Sequence, residues 1–206
     1  MNKVLDAIRD AVRSFMHQLA KGIDTVSGGR ITPNMITIVG LLAHVYIAYL
    51  ISQQSFIWAG GLLVIFGLFD ALDGQLARLQ HKAGNAGMML DATTDRMKEI
   101  LLYSGVAYAL IQMGRPYVAV WAVSACGASL LVSYVKAKGE TAMKDSTLSA
   151  NEINRLFQDG FFRFEIRMFI LIVGLLSGYL AASVVVIAVL AWFTAFQRLY
   201  LITKKL

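Results

Sequence analysis

Six apolar runs, at residues 35–52, 56–76, 99–113, 117–135, 166–180 and 183–202, partition the 206-residue chain, and each supplies most of a bilayer-spanning helix. A segment inside hydrocarbon must satisfy its own backbone hydrogen bonds, so such runs form helices, not loops or open sheet edges. The predicted fold is all-α: a polytopic membrane protein of six transmembrane helices. Composition agrees, because 57% of the residues are hydrophobic, 16% are charged and the mean hydropathy is +0.61, outside the usual range for soluble globular domains. The third run is short alone. Extending it backwards through "GMMLDATTDRMKE" predicts a helix longer than the membrane requires, with a polar end. The connections at 53–55, 113–116 and 180–183 are brief, whereas 77–86 and 136–165 are longer and polar.

Orientation follows from the basic residues. Of 19 Lys and Arg, five precede the first run (Lys3, Arg9, Arg13, Lys21 and Arg30), thirteen lie at junctions on that same side, and Arg115 alone falls opposite. The positive-inside rule then predicts a multi-pass protein of the cell membrane with both termini and all charged segments cytosolic. The net charge of +6 and the pI near 9.5 read as a basic face toward anionic membrane lipids, with no nucleic acid required. Residues 1–30 form a separate juxtamembrane part. Val4, Leu5, Ile8, Val12, Phe15, Met16 and Leu19 recur near helical spacing among basic residues, as in an interfacial amphipathic helix. Charges spread through the whole stretch argue against a cleavable signal peptide. Residues 31–206 make the six-helix transmembrane domain. Cys126 is the single cysteine, so no intrachain disulfide forms.

Against this background, "FDALDGQLARLQHKAGNAGMMLDATTDR", residues 69–96, places four aspartates in one stretch. Asp70 and Asp73 are three apart, and Asp91 and Asp95 are four apart, so each pair projects from one face of a helix. A charge within a membrane helix costs roughly 2.5–3.5 kcal/mol on insertion scales, which demands a polar cavity and a partner. Carboxylates without clustered His or Cys favour a hard ion such as Mg²⁺ or Mn²⁺, whose shell substrate phosphates commonly complete. The predicted substrate is a phosphoanhydride. Gly74, Ala77 and Gly87 would let a backbone or flat ligand approach closely, and Arg78 offers a fork to phosphate oxygens. The plainer alternative is that the small residues only pack helices and that Arg78 snorkels.

The pattern D-x2-D-G-x2-A-R-x8-G-x3-D-x3-D, filled by Asp70, Asp73, Gly74, Ala77, Arg78, Gly87, Asp91 and Asp95, resembles the signature of the CDP-alcohol phosphatidyltransferases. The resemblance implies a six-span membrane enzyme that moves a phosphatidyl group from a CDP-linked lipid to an alcohol and releases CMP. It implies two divalent ions, Mg²⁺ with Mn²⁺ as the alternative, on Asp70, Asp73, Asp91 and Asp95, with Asp95 also the catalytic base. It implies contacts to the CDP-lipid from Asn34, Met35, Ile36, Thr37, Gly74 and Arg78, and a homodimer. Relatives often carry Ser or Thr where this chain has Gly84; by the same resemblance the adjacent Asn85 would be the substitute.

Further stretches, "ITPNMITIVG", "LDATTDR", "SYVKAKGE" and "FQRLY", are similar to those of phosphatidylinositol phosphate synthases, the branch that uses inositol phosphate. By that resemblance Lys136, Arg167 and Arg198 would bind the acceptor's phosphate, although "RFEIR" departs from the usual R-P-E-R and makes Arg163 a competitor of Arg167. Glycerol 3-phosphate is the alternative acceptor, and CDP-archaeol an alternative donor. Outside the enzyme class, an intramembrane cation transporter is the rival reading, followed by a prenyltransferase. Transporter sites favour midplane positions on broken helices, whereas these aspartates lie toward helix ends. "KDSTLSANEINRLFQDG" is expected to form a short surface helix capped by Ser149 or Asn151.

Overall fold

Turn chemistry sets the helix boundaries. The computed structural model describes residues 2–143 and 164–204, without the side chains of residues 2–11 and of Asp70. Eight helices occur among the described residues: α1 (Asn2–Ser27), α2 (Pro33–Ser52), α3 (Phe56–Phe66), α4 (Phe69–Leu79), α5 (Asn85–Gln112), α6 (Pro116–Ala142), α7 (Phe164–Ser177) and α8 (Leu180–Thr203). No strand occurs among these residues. Thr32 caps α2 through its hydroxyl, which accepts the Met35 N–H at 3.4 Å, and Pro33 occupies the first helical position, where a missing N–H costs nothing. At the other end of the fold's helices, Gly114 (φ +72°) reverses the chain after α5, with the Arg115 N–H bonded to Leu110 O at 2.9 Å.

Four helices among the described residues are long and apolar enough to cross a bilayer: Pro33–Ser52, Phe56–Leu79 taken through α3 and α4, Pro116–Ala142 and Leu180–Thr203. Two expectations need adjustment and a third holds. The run at 56–76 forms one candidate span but is interrupted as helix at Gly67 and Leu68, between α3 and α4. The Gly67 N–H bonds to Leu63 O at 2.9 Å, and a Cβ on Gly67 would stand 2.8 Å from that same oxygen. The run at 166–180 ends as helix at Ser177, because Gly178 adopts φ +77° and α8 begins at Leu180. The backward extension of the third run is present: α5 starts at Asn85, well before its apolar half. The expected surface helix within 144–160 and Arg163 lie outside the described residues.

Contacts divide the chain into two units, residues 1–47 with 62–98, and residues 48–61 with 99–206. In the first unit α1 lies on α4. Met16 and Ala20 of α1 are buried with Ile36, Leu72 and Leu76, and Ile23, Ile31, Phe69 and Leu79 close around them. Burying each large side chain from water is worth roughly 1.5–3 kcal/mol. Gln80, just past α4, donates from Nε2 to Asp24 Oδ1 at 2.7 Å and to Ile31 O at 2.9 Å. These bonds hold the end of α1 in register with α4. Val12, Phe15 and Leu19 stay exposed, so α1 has one docked face and another that is apolar and uncovered.

In the second unit α6 packs along α8. Ala119, Ala122, Ala125 and Ala128 recur every third residue on α6, and Ala188, Ala191 and Ala195 face the core from α8. Small residues at these positions let the two backbones approach closely. Trp192 Nε1 donates to Ser124 Oγ at 3.0 Å. A close backbone approach in this unit is at Gly105, where an added Cβ would lie 2.6 Å from Ala48 O.

Candidate active site

The first unit carries the carboxylates. Asp70 and Asp73 lie on α4, Asp91 and Asp95 on the polar first half of α5, and all four belong to this unit. A cavity of about 180 Å³ opens here, and Asn34, Thr37, Asp73, Gly74, Arg78 and Asp91 line it. Residues from three helices thus meet around two of the aspartates.

Helical geometry divides the "NMIT" stretch. Asn34 and Thr37, one turn apart, face the cavity. Met35 and Ile36 do not line it: Met35 is exposed, and Ile36 is buried in the apolar cluster with Met16 and Leu72. Expecting four consecutive residues of a helix to touch one ligand ignores the 3.6-residue period. Thr37 has a further role that its position alone did not suggest. Its hydroxyl donates to Asp73 Oδ2 at 2.5 Å, which fixes the orientation of that carboxylate. Gly74 is open toward the cavity: a Cβ there would meet only the Arg78 guanidinium nitrogens, at 3.8 Å. Lys82, Gly84 and Met88 also line the cavity. The one hint of Lys82 in the sequence is a basic residue four past Arg78, a position that membrane orientation explains equally well.

Asp95 is not part of the cavity lining. Its Oδ1 accepts a bond from Lys98 Nζ at 3.2 Å, and Arg96 stands 3.9 Å from Oδ2. Lys98 is almost fully buried, an ammonium held inside the fold beside the carboxylates. The signal for it is a lysine inside the "DRMKEILL" entry to an apolar run, where a charge must find a partner.

Asp91 shows what the site lacks within the protein itself. Its Oδ1 is buried and has no hydrogen-bond partner. Asp91 precedes the apolar half of α5, and its carboxyl is pushed up to about 6, first by burial, then by Asp95 and Asp73. A buried, partnerless carboxylate oxygen among like charges is a poor final state for a protein. A divalent cation relieves both faults at once, so the donor set fits a hard metal ion. Among the described residues no three His, Cys, Asp or Glu side chains already converge at ligand distance.

The three cations expected at the acceptor site belong to the second unit. Lys136 Nζ pairs with Glu140 at 3.6 Å near the end of α6, both side chains being exposed. Arg198 donates from a terminal nitrogen to Val132 O at 3.2 Å. Arg167 is buried, and it forms a two-pronged pair with Glu99 Oε1, at 3.0 Å from a terminal nitrogen and 3.3 Å from Nε. Glu99 is wholly buried and went unnoticed in the sequence, although it too sits at the entry to an apolar run.

Among the described residues the chain is helical, four of its helices are long and apolar enough to cross a bilayer, as in an integral membrane protein, and a polar cavity is lined by Asp73 and Asp91. A family model described as CDP-alcohol phosphatidyltransferase matches residues 30–197, and the chain belongs to that family of enzymes. Archaetidylinositol phosphate synthase of Pyrococcus horikoshii is 29% identical over 204 residues, 98% of either chain. Phosphatidylinositol phosphate synthase of Corynebacterium glutamicum is 37% identical over 116 residues, 55% of this chain and 53% of that one. The chain thus spans about half the length of that bacterial relative in the matched region. A crystal structure of Mycobacterium tuberculosis phosphatidylinositol phosphate synthase with CDP-DAG bound superposes with a TM-score of 0.76 at 25% identity, covering 91% of this chain and 92% of that one. The same enzyme in complex with manganese and citrate superposes at 0.77 with 24% identity, covering 91% and 88%, which concerns the fold alone.

Proposed function

We propose that this enzyme transfers a phosphatidyl group from CDP-diacylglycerol to a hydroxyl of inositol phosphate, releasing CMP and forming phosphatidylinositol phosphate in phospholipid biosynthesis. The observation that carries the reading is the buried, partnerless Oδ1 of Asp91 in a cavity shared with Asn34, Thr37, Asp73, Gly74 and Arg78. The names of the relatives, and the CDP-DAG bound to the mycobacterial enzyme, support the substrates.

Asp70, Asp73, Asp91 and Asp95 are the proposed ligands of two divalent ions, Mg²⁺ or alternatively Mn²⁺. Bound there, the ions supply charge neutralisation to the diphosphate and the CMP leaving group. Asn34, Thr37, Gly74 and Arg78 seat the cytidine diphosphate, with Arg78 offering its fork to phosphate oxygens. Asp95 takes the proton from the acceptor hydroxyl as its oxygen attacks the lipid-side phosphorus, and the bond from that phosphorus to the CMP oxygen breaks in line. Lys98 keeps the Asp95 carboxylate oriented. Lys136, Arg167 and Arg198 form the proposed cradle for the acceptor's phosphate, with Arg167 shared between that phosphate and Glu99. In this reading residues 1–30 are the juxtamembrane interfacial helix and residues 31–206 the catalytic domain. That domain comprises six spans, since α5 and α7 join the four bilayer-length helices, with both termini and the site cytosolic. The family resemblance supports a homodimer.

A second donor has its own support, because a relative that matches over 98% of either chain is an archaetidylinositol phosphate synthase. The test is CMP release by the purified protein with Mg²⁺, using CDP-diacylglycerol or CDP-archaeol against inositol phosphate, glycerol 3-phosphate or no acceptor. Release that requires inositol phosphate and disappears in Asp95→Asn is expected. Release with glycerol 3-phosphate alone keeps the reaction and overturns the acceptor. No acceptor-dependent release with either donor sinks the assignment.

A further inference from the structure

A second cavity, of about 430 Å³, borders the same carboxylates from the side of α1, and Arg13, Met16, Asp73, Gly74, Arg78 and Asp91 are among its lining residues. The arrangement follows from the register of α1. Met16 and Ala20 are buried against Leu72 and Leu76 of α4, and the Asp24–Gln80 bond secures the helix one turn further on. Arg13 precedes Met16 by three residues and Ala20 by seven, so it lies on the docked face rather than on the one that carries Phe15. Its side chain is exposed, yet α1 carries it to the wall of a cavity whose other named polar groups belong to the transferase site. Two arginines on different helices therefore border one space that also holds two carboxylates. Such an arrangement suits a phosphate group, whose oxygens accept from guanidinium forks while the carboxylates engage its cations.

We propose that Arg13 is a substrate-binding residue of the transferase: its guanidinium binds a phosphate oxygen of a substrate in the cavity that Gly74, Arg78, Asp73 and Asp91 share. The proposal rests on the transferase reading above for the identity of the substrates. It makes α1 part of the active site as well as a docked helix. The phosphate belongs either to the diphosphate of the CDP-lipid or to the phosphorylated acceptor, and the chemistry of recognition is the same for both.

The test uses the full-length protein in detergent with Mn²⁺, and calorimetric titration of CDP and of inositol phosphate into wild type, R13Q, R13K and K21Q, with melting temperatures measured alongside. Lys21 is an exposed basic residue of the same helix outside the cavity lining, so K21Q removes an equal charge from the surface. R13Q is expected to weaken one of the two ligands roughly tenfold, the usual scale for a lost charged hydrogen bond, with an unchanged melting temperature. R13K, which keeps the charge and loses the fork, is expected to fall between R13Q and wild type, and K21Q to match wild type. Loss of CDP binding assigns Arg13 to the donor diphosphate, and loss of inositol phosphate binding assigns it to the acceptor. Affinities within twofold of wild type for both ligands in R13Q overturn the proposal. So does an equal loss in K21Q, which would make the effect one of surface charge, or a wild type that binds neither ligand. If wild type binds but releases no CMP, the reaction assignment fails while the R13Q comparison still decides the role of Arg13.

Discussion

Gly74 illustrates how a single residue separates fold from function. A methyl group at this position meets nothing except the mobile end of Arg78 at 3.8 Å, so the protein itself tolerates alanine. The ligand would not, because the methyl projects into the space lined by Asp73, Arg78 and Asp91. Gly74→Ala is expected to leave the melting temperature unchanged and to weaken CDP binding about tenfold, the effect of overfilling a tight contact by roughly 1–2 kcal/mol; calorimetry measures it. Asp91 provides a pH-dependent test. Its carboxyl rises from 3.8 to about 6 on folding, so without metal the folded chain binds more protons than the unfolded chain between those values. Stability of the metal-free protein from this group is therefore greatest below about pH 4 and declines as pH rises through 6. A cation that occupies the site reverses the penalty on the charged form. Thermal shift by Mg²⁺ is expected to be large at pH 7.5 and to shrink toward pH 5, and an equal shift at both would contradict a role for Asp91 in metal binding.

Among the elements, the helices differ in how closely they must approach. Gly105 on α5 meets the Ala48 carbonyl so tightly that a Cβ would come within 2.6 Å of a backbone oxygen, which cannot swing aside as a side chain can. Gly127 on α6 has nothing within 4 Å of the same position. Gly105→Ala is expected to destabilise by about 1–3 kcal/mol through overpacking, whereas Gly127→Ala is expected to be neutral or slightly stabilising, as read by thermal unfolding in detergent. Both glycines looked alike in the sequence, as small residues inside apolar runs, and only the packing distinguishes them. The break between α3 and α4 is of the same kind. The run at 56–76 reads as one continuous span, but Gly67 turns the chain immediately before the aspartate-bearing helix. A broken helix was expected of a transporter, yet here it introduces α4 in a member of an enzyme family.

For the molecule as a whole, the distribution of Lys and Arg makes a prediction about the membrane that no intramolecular contact supplies. With six spans and the positive side inward, single cysteines introduced at Lys3 and Thr203 in a Cys126→Ala background should resist a membrane-impermeant maleimide on intact cells. A cysteine at Arg115 should react. Labelling at position 3 but not at 203 would require an odd number of spans and would overturn the topology, while the local site geometry would be unaffected.

The helical class, the apolar runs and the aspartate spacing were all legible in the chain, because each depends on local physics: hydrocarbon enforces internal hydrogen bonding, and helical periodicity places Asp91 and Asp95 on one face. The same periodicity explains why "NMIT" overstates the contact set, with Asn34 and Thr37 facing the cavity and Ile36 in the core. What the sequence could not disclose are pairings between distant residues. Thr37 with Asp73 and Glu99 with Arg167 are separated by 36 and 68 positions, and no local pattern links them. Docking of α1 on α4 belongs here as well, since an amphipathic stripe shows that a helix needs an apolar surface without showing which one. Tertiary structure decided that Met16 and Ala20 would bury against Leu72 and Leu76 while Phe15 remained exposed, because complementary shape and buried hydrogen bonds, not residue type, choose among the surfaces on offer.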